Sequence, residues 1–390
     1  MKKKTVMIMC ALFTMLTSIV SCSGKAQRSA DTIPADTLQA SLIIEDSTPL
    51  NDAVGKLSDS ISHVKINPTD KQDTDGLIYW TSDKVCNTNP ELVLLLDTLY
   101  RYTRSENGKF FEIESVNVKE TLNRMKAYRK QLCDYYDRRK LGSDTITGYA
   151  KADTVLNHAE RLWDIDKNES TMGMIIYNST YYSWIIFKQY NSLIELLDLC
   201  ENDKQKSLLI EEWEAWKEFM YCCIGFWSDC TTLTYRGSSG GGPHRGEGRI
   251  LIYETHINLT KKDIDWFNWD RIDRDRRDRL NFELIYEVPL QSAKTLFLDC
   301  CKTRYLNIKD IIKDIIKDMD TQDEDETDYY KRDYEDALKK YKKLPILMDK
   351  WIEARGRWSD DVSTDYYHNY YNRLSSGVLL GLARVFSSLD

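Results

Sequence analysis

The stretch Leu209–Trp227, LIEEWEAWKEFMYCCIGFW, decides the fold. Leu209, Trp213, Trp216, Met220, Cys223 and Trp227 follow one another at steps of four, three, four, three and four residues. Side chains so spaced share one face of an α-helix and form a seam that packs into a neighbour's grooves. The same spacing returns 135 residues later as Leu344, Met348, Trp351, Arg355 and Trp358, with an arginine in the fourth place. The recurrence predicts two related helical subdomains in tandem.

Working outward, the helical pattern covers nearly everything beyond Trp80. Asn89-Pro90 reads as an N-cap followed by proline at the first helical position, with Leu92, Leu94, Leu95 and Leu99 behind it. Further helices are predicted over 116–139, 151–165 and 170–200. The last carries Tyr181, Tyr182, Trp184, Ile185, Ile186, Tyr190, Leu193 and Leu196 on more than one face, which places it at the centre of a bundle. Asn178, Ser183, Lys188 and Gln189 interrupt that run, so it reads as a core helix, not a membrane span. Seven Pro and 17 Gly leave few breakers, and 24 Tyr and 10 Trp supply large rings for packing between helices. The predicted class is all-α: a long-helix bundle in two related helical subdomains, 77–258 and 259–390, after a disordered tether.

Charge and composition exclude several functions. Hydrophobic residues at 42% and charged residues at 30% argue against wholesale disorder and against a multi-span membrane protein. A net charge of -8 argues against nucleic-acid binding by counterion release.

The N-terminus reads as an export signal. Lys2, Lys3 and Lys4 precede an apolar run from Val6 to Val20, too short to be a stable membrane span. The run ends in Ile19-Val20-Ser21-Cys22, which resembles the bacterial lipobox, so residues 1–21 are predicted to be removed and Cys22 to be lipidated. By the same resemblance, Ser23 after the cysteine implies an outer-membrane lipoprotein facing the periplasm. From 22 to 76, polar residues and Pro34, Pro49 and Pro68 read as a flexible tether, since such a composition buries too little apolar surface to offset ordering entropy.

The stretch Tyr190 to Thr260 is similar to the small exported domains at the N-terminus of LprI-type lysozyme inhibitors. Tyr190, Leu193 and Leu197 match the first helix of that pattern. Leu209, Trp216 and Phe219 match its Leu, Trp and Tyr, Gly240-Gly241-Gly242-Pro243 its glycine-rich turn, and Leu259-Thr260 the opening of its closing helix. Trp213, Met220 and Tyr221 replace the family's Gln, Arg and Asp, and Cys222 and Cys223 fall early. A second copy keeps Leu344, Trp351 and Arg355, but Gly356 stands in place of Asp. The resemblance implies inhibition of lysozyme-like glycosidases.

Other features bear on binding. A groove lined by Trp213, Trp216, Trp351 and Trp358 would suit an interface, although apolar residues at helical spacing are core by default. Gly237–Gly246 is the longest break in the helical pattern and reads as an exposed loop. Within it Gly240, Gly241, Gly242, Pro243, His244 and Arg245 are the candidate binding residues, a reaching loop whose cation could enter an acidic cleft. No Gly-Lys-Ser/Thr follows, so this is not a P-loop. Eight cysteines remain after Cys10 is removed and Cys22 is lipidated, and one or two disulfides are predicted. Asp270–Arg279 pairs acids with bases at i,i+4 and reads as a solvated helix face, and Asp318–Asp328 as a charged inter-helix loop without EF-hand spacing.

Neither a metal nor a cofactor is predicted. The five histidines, His63, His158, His244, His256 and His368, form no His-Glu-x-x-His, and no Gly-x-Ser-x-Gly elbow occurs. The expected function is therefore non-catalytic binding in the cell envelope, with a lysozyme-like protein as the partner that the resemblance implies. The alternatives are a peptidoglycan or glycan adaptor using exposed aromatics, and a hydrolase built on a carboxylate pair.

Overall fold

Asn89-Pro90 opens a helix as predicted, the Asn89 carbonyl accepting from the Val93 N–H at 3.2 Å. The Asn89 side chain does not cap that helix. Its Oδ1 accepts from the Tyr135 hydroxyl at 3.1 Å and ties the first helix to the second.

A computed structural model describes residues 89–103, 118–143, 145–162, 171–235, 241–272, 288–319, 324–362 and 365–388. They all belong to the contact unit Val54–Asp390. The signal, Cys22, the tether, Cys86 and Gly240 lie outside the described residues. Among the described residues the helices are α1 Pro90–Tyr102, α2 Val118–Arg139, α3 Gly148–Leu162, α4 Thr171–Leu199, α5 Asp203–Tyr235, α6 Gly241–Ile272, α7 Leu290–Met319, α8 Glu324–Val362 and α9 Asp365–Ser387. They are 93% helical with no strand, an all-α bundle.

The two seams lie on α5 and α8, and each is the other's partner. The helices run antiparallel: Lys204 pairs with Asp361 near one end, Lys350 with Glu218 at 2.7 Å in the middle, and Lys340 with Asp229 at 2.6 Å near the other end. Between them Trp216 and Trp351 meet at a ring-centroid distance of 5.0 Å, and Phe219 stacks on Trp351 at 5.8 Å. Leu209, Trp213, Trp216, Leu344, Trp351 and Trp358 are at most 3% exposed.

The two seams therefore meet across the expected boundary between 77–258 and 259–390. One continuous core takes residues from both halves, because a seam of large rings buries its area best against a second seam of the same pitch. The copies also differ in place. Leu209 lies in the second turn of α5, whereas Leu344 lies deep inside the 39-residue α8. Pro345 follows it within that helix and removes the N–H that Tyr341 O would accept.

On the other side of α5, α4 and α6 run parallel, with Tyr182 against Tyr253 and Gln189 against His256. At the start of α6, a Cβ on Gly248 would lie 2.0 Å from Trp227 Nε1, so only glycine lets that indole cross the helix.

The seven described cysteines, Cys133, Cys200, Cys222, Cys223, Cys230, Cys300 and Cys301, are all free thiols, contrary to the predicted disulfides. Several act as small buried hydrophobes with a weak donor. Cys133 donates to Gly148 O at 3.1 Å, Cys200 to Leu196 O at 3.3 Å and Cys222 to Lys340 O at 3.3 Å. Two neighbouring readings also shift. α8 begins at Glu324, so most of the predicted acidic loop from Asp318 to Asp328 is helix. The alternating-charge run is described only to Ile272, where it closes α6.

Candidate functional site: a sealed ionic cluster in the core

A charged residue inside an apolar stripe needs a partner buried with it. Arg355 occupies such a place, and three other helices supply its surroundings. Its Nη2 donates to both carboxylate oxygens of Asp263 on α6, at 2.8 Å and 2.8 Å. Its Nη1 lies 3.6 Å from Glu212 Oε1 on α5. The guanidinium sits 4.6 Å from the ring centre of Tyr371 on α9 and 5.6 Å from that of Trp358. Glu212 also accepts from Trp351 Nε1 at 2.7 Å.

His256, two turns before Asp263 on α6, completes the cluster. It lies flat on Trp216, with 4.3 Å between ring centroids and 7° between planes. Trp213 meets it edge-on at 4.9 Å. Gln189 on α4 reaches Nδ1 at 3.0 Å, and Nε2 lies 4.0 Å from Glu212 Oε1. Glu212, His256, Asp263 and Arg355 are between 0% and 1% exposed, so no substrate reaches them.

The electrostatics follow from that seal. Burial alone would raise the Glu212 carboxyl, but His256, Arg355 and Trp351 together hold it below the ordinary carboxylate value. Burial holds the His256 imidazole below its ordinary value against the pull of Glu212. With a neutral imidazole, the two carboxylates of Glu212 and Asp263 face the guanidinium of Arg355, one negative charge in excess among these four side chains. Glu212 Oε2, His256 Nε2 and Trp216 Nε1 have no hydrogen-bond partner among the described residues. Such an arrangement sets the register of α5 on α8 and of α6 beside them, since a slip by one turn would strand a charge.

A second group of ionisable side chains is half-open. On α3 and α4, Asn191 Nδ2 donates to Asp153 Oδ1 at 3.3 Å. One turn further along α4 stands Glu195, whose Oε2 has no partner. Burial pushes Glu195 up to about 7, opposed by Arg129 and helped by Asp153. Burial also raises Asp153, with Lys261 opposing. A carboxyl that exchanges its proton near neutrality beside a second carboxylate can act as an acid or a base.

Between α6 and α9 runs an open groove of about 340 Å³, lined by Leu251, Glu254, Thr255, Gly381, Arg384 and Val385. A Cβ on Gly381 would lie 2.8 Å from Thr255 Cγ2, so the close approach of the two helices depends on that glycine. Burial raises Glu254, and Lys188 opposes it.

The structure redistributes the residues singled out in the sequence. Gly241, Gly242, Pro243, His244 and Arg245 do not form a reaching loop; they are the first turns of α6. His244 stacks on Tyr235 at 4.8 Å, and Arg245 Nη1 donates to Thr232 Oγ1 at 3.1 Å, so both side chains fold back on α5. Helix formation wins there because α6 gains a full turn and a covered face. The indoles of Trp213, Trp216, Trp351 and Trp358 are core, which removes the aromatic platform from the surface. Sequence reasoning named Arg355 but missed Glu212, His256, Asp263, Asp153 and Glu195. The signal for the first three was Arg355 itself, a cation at a seam position. Among the described residues no group of three or more His, Cys, Asp or Glu side chains is placed to hold a metal ion. Comparison of the chain with protein-family models, with curated proteins and with solved structures returns no match.

Proposed function

We propose that this chain is a lipid-anchored protein of the cell envelope whose helical body binds a partner without catalysis. The observation that carries the reading is Ile19-Val20-Ser21-Cys22 at the end of an apolar run behind three lysines. Among the described residues no helix is long and apolar enough to cross a membrane. In this reading membrane contact comes through the acylated Cys22. The non-catalytic part is supported by where the most ordered ionisable groups lie, sealed between helices and spent on register. A lysozyme-like glycosidase is the partner that the LprI-type resemblance implies, and the outer membrane facing the periplasm is the location.

The test has two arms. Expressed with a clickable palmitate analogue, the wild-type chain should take up label and sediment with membranes, and Cys22→Ala should do neither. Label retained in Cys22→Ala overturns the anchor. The purified mature chain should slow hydrolysis of a cell-wall suspension by lysozyme in proportion to its concentration. An undiminished rate at a large molar excess overturns the implied partner.

A second reading, a hydrolase built on a carboxylate pair, is favoured by Glu195 standing beside Asp153 with one oxygen unpartnered. It expects turnover of a glycoside panel that disappears in both Glu195→Gln and Asp153→Asn. Turnover unaffected by either change removes it.

A further inference from the structure

The imidazole of His256 is held by the polarity of its hydrogen bond as well as by burial. The contact on Nδ1 is the amide nitrogen of Gln189, at 3.0 Å. An amide nitrogen only donates, so Nδ1 accepts and the ring's own proton sits on Nε2. That proton points toward Glu212, whose Oε1 is 4.0 Å away, beyond hydrogen-bond reach. The ring is thus fastened to α4 through Nδ1 and turns Nε2 toward Glu212 on α5. Trp216 lies flat below the ring and Trp213 meets its edge.

We propose that Gln189 and His256 form an acid-released latch between α4 and α6. A proton taken from solvent onto Nδ1 turns the acceptor into a donor facing the Gln189 amide nitrogen, and that hydrogen bond breaks. The imidazolium then slides along the face of Trp216 to close on Glu212, whose Oε2 waits unpartnered. The cation is favoured against the indole face. It also balances two carboxylates against two cations where one net negative charge stood before. α4 loses its polar tie to α6, and the cluster becomes neutral.

The groups around the ring agree with that movement. α4 offers the uncharged Gln189, α5 offers Glu212, and α8 offers Arg355 with Trp351 beyond Glu212. α9 offers Tyr371, under the guanidinium, whose hydroxyl burial keeps protonated. On α6 itself the nearest ionised group of the cluster is Asp263, two turns away and bound to Arg355. Glu212 attracts the imidazolium and Arg355 repels it, which directs the ring to the Glu212 side. The inference does not depend on the proposed function.

Two measurements test it on the full mature chain. In proton NMR, the His256 ring resonance should titrate below pH 6.5 in the folded protein. In hydrogen exchange corrected for intrinsic chemistry, amides of α4 and α6 around Gln189 and His256 should open roughly tenfold more at pH 5 than at pH 7, a factor that corresponds to about 1.4 kcal/mol. Amides of α7 should not change. His256→Gln, neutral at both values, should remove that difference. A ring that does not titrate between pH 7.5 and 4.5 overturns the latch. So does acid opening spread evenly over all the helices, or opening that persists unchanged in His256→Gln. If His256→Gln fails to fold, the ring titration and the location of exchange in the wild type decide.

Discussion

Replacing Arg355 by methionine keeps most of the side-chain volume and removes a cation that two buried carboxylates share. Asp263 would lose both of its 2.8 Å contacts, and Glu212 would keep only its bond from Trp351. Removing one partner of a buried ion pair costs about 3–5 kcal/mol, because the remaining charge stays desolvated. At roughly 2–4 °C per kcal/mol for a body of this size, Tm should fall by about 6–20 °C. The loss should also depend on pH. Without Arg355 the two carboxyls protonate more readily when folded than when unfolded, so their contribution is kept in acid and lost as pH rises. Thermal melts followed by circular dichroism should therefore show a larger gap from wild type at pH 8 than at pH 5. Arg355→Met combined with Asp263→Asn should recover part of the loss, since one stranded charge is gone. A single mutant within about 0.5 kcal/mol of wild type at pH 8, the range of ordinary surface changes, would refute the assignment of Arg355 to a buried ionic core.

Two further changes probe the half-open carboxyl and the helix crossing. Glu195 has a folded-state value of about 7 against an ordinary 4.5, so its contribution is complete below the unfolded value and is lost as pH rises through about 7. Glu195→Gln should therefore gain on wild type in urea midpoint between pH 5 and pH 8, and a constant difference would show that Glu195 ionises as it does in water. Gly248→Ala places a methyl 2.0 Å from Trp227 Nε1. It should cost about 1–3 kcal/mol by overpacking and shift the tryptophan emission. An unchanged urea midpoint and spectrum would mean that the indole does not cross α6 there.

Much of the architecture was legible along the chain. Helix periodicity is local, so Leu209–Trp227 and Leu344–Trp358 announced their faces, and Asn89-Pro90 announced the start of α1. What stood opposite each face was not legible. Equal spacing in the two seams reads as duplication when each is assumed to pack within its own half. Antiparallel pairing of α5 on α8 asks for the same match of pitch, and only the fold distinguishes the two. The glycine stretch misled for a related reason. Gly241 and Gly242 are poor helix formers, and the turn they begin is held by contacts of Trp227, Tyr235 and Thr232 that come from α5.

Sequence by itself determined the all-α class, the apolar seams and the start of α1 at Asn89-Pro90. All of these are written in neighbouring residues and in the 3.6-residue repeat. Tertiary structure alone decided that Glu212, His256, Asp263 and Arg355 meet, that the seam indoles face each other, and that Asp153 and Glu195 share a half-open corner. The four charged or ionisable side chains of this cluster come from three helices spread over more than 140 positions, and their protonation depends on how completely water is shut out. Periodicity says that a face will be covered; only packing says what covers it.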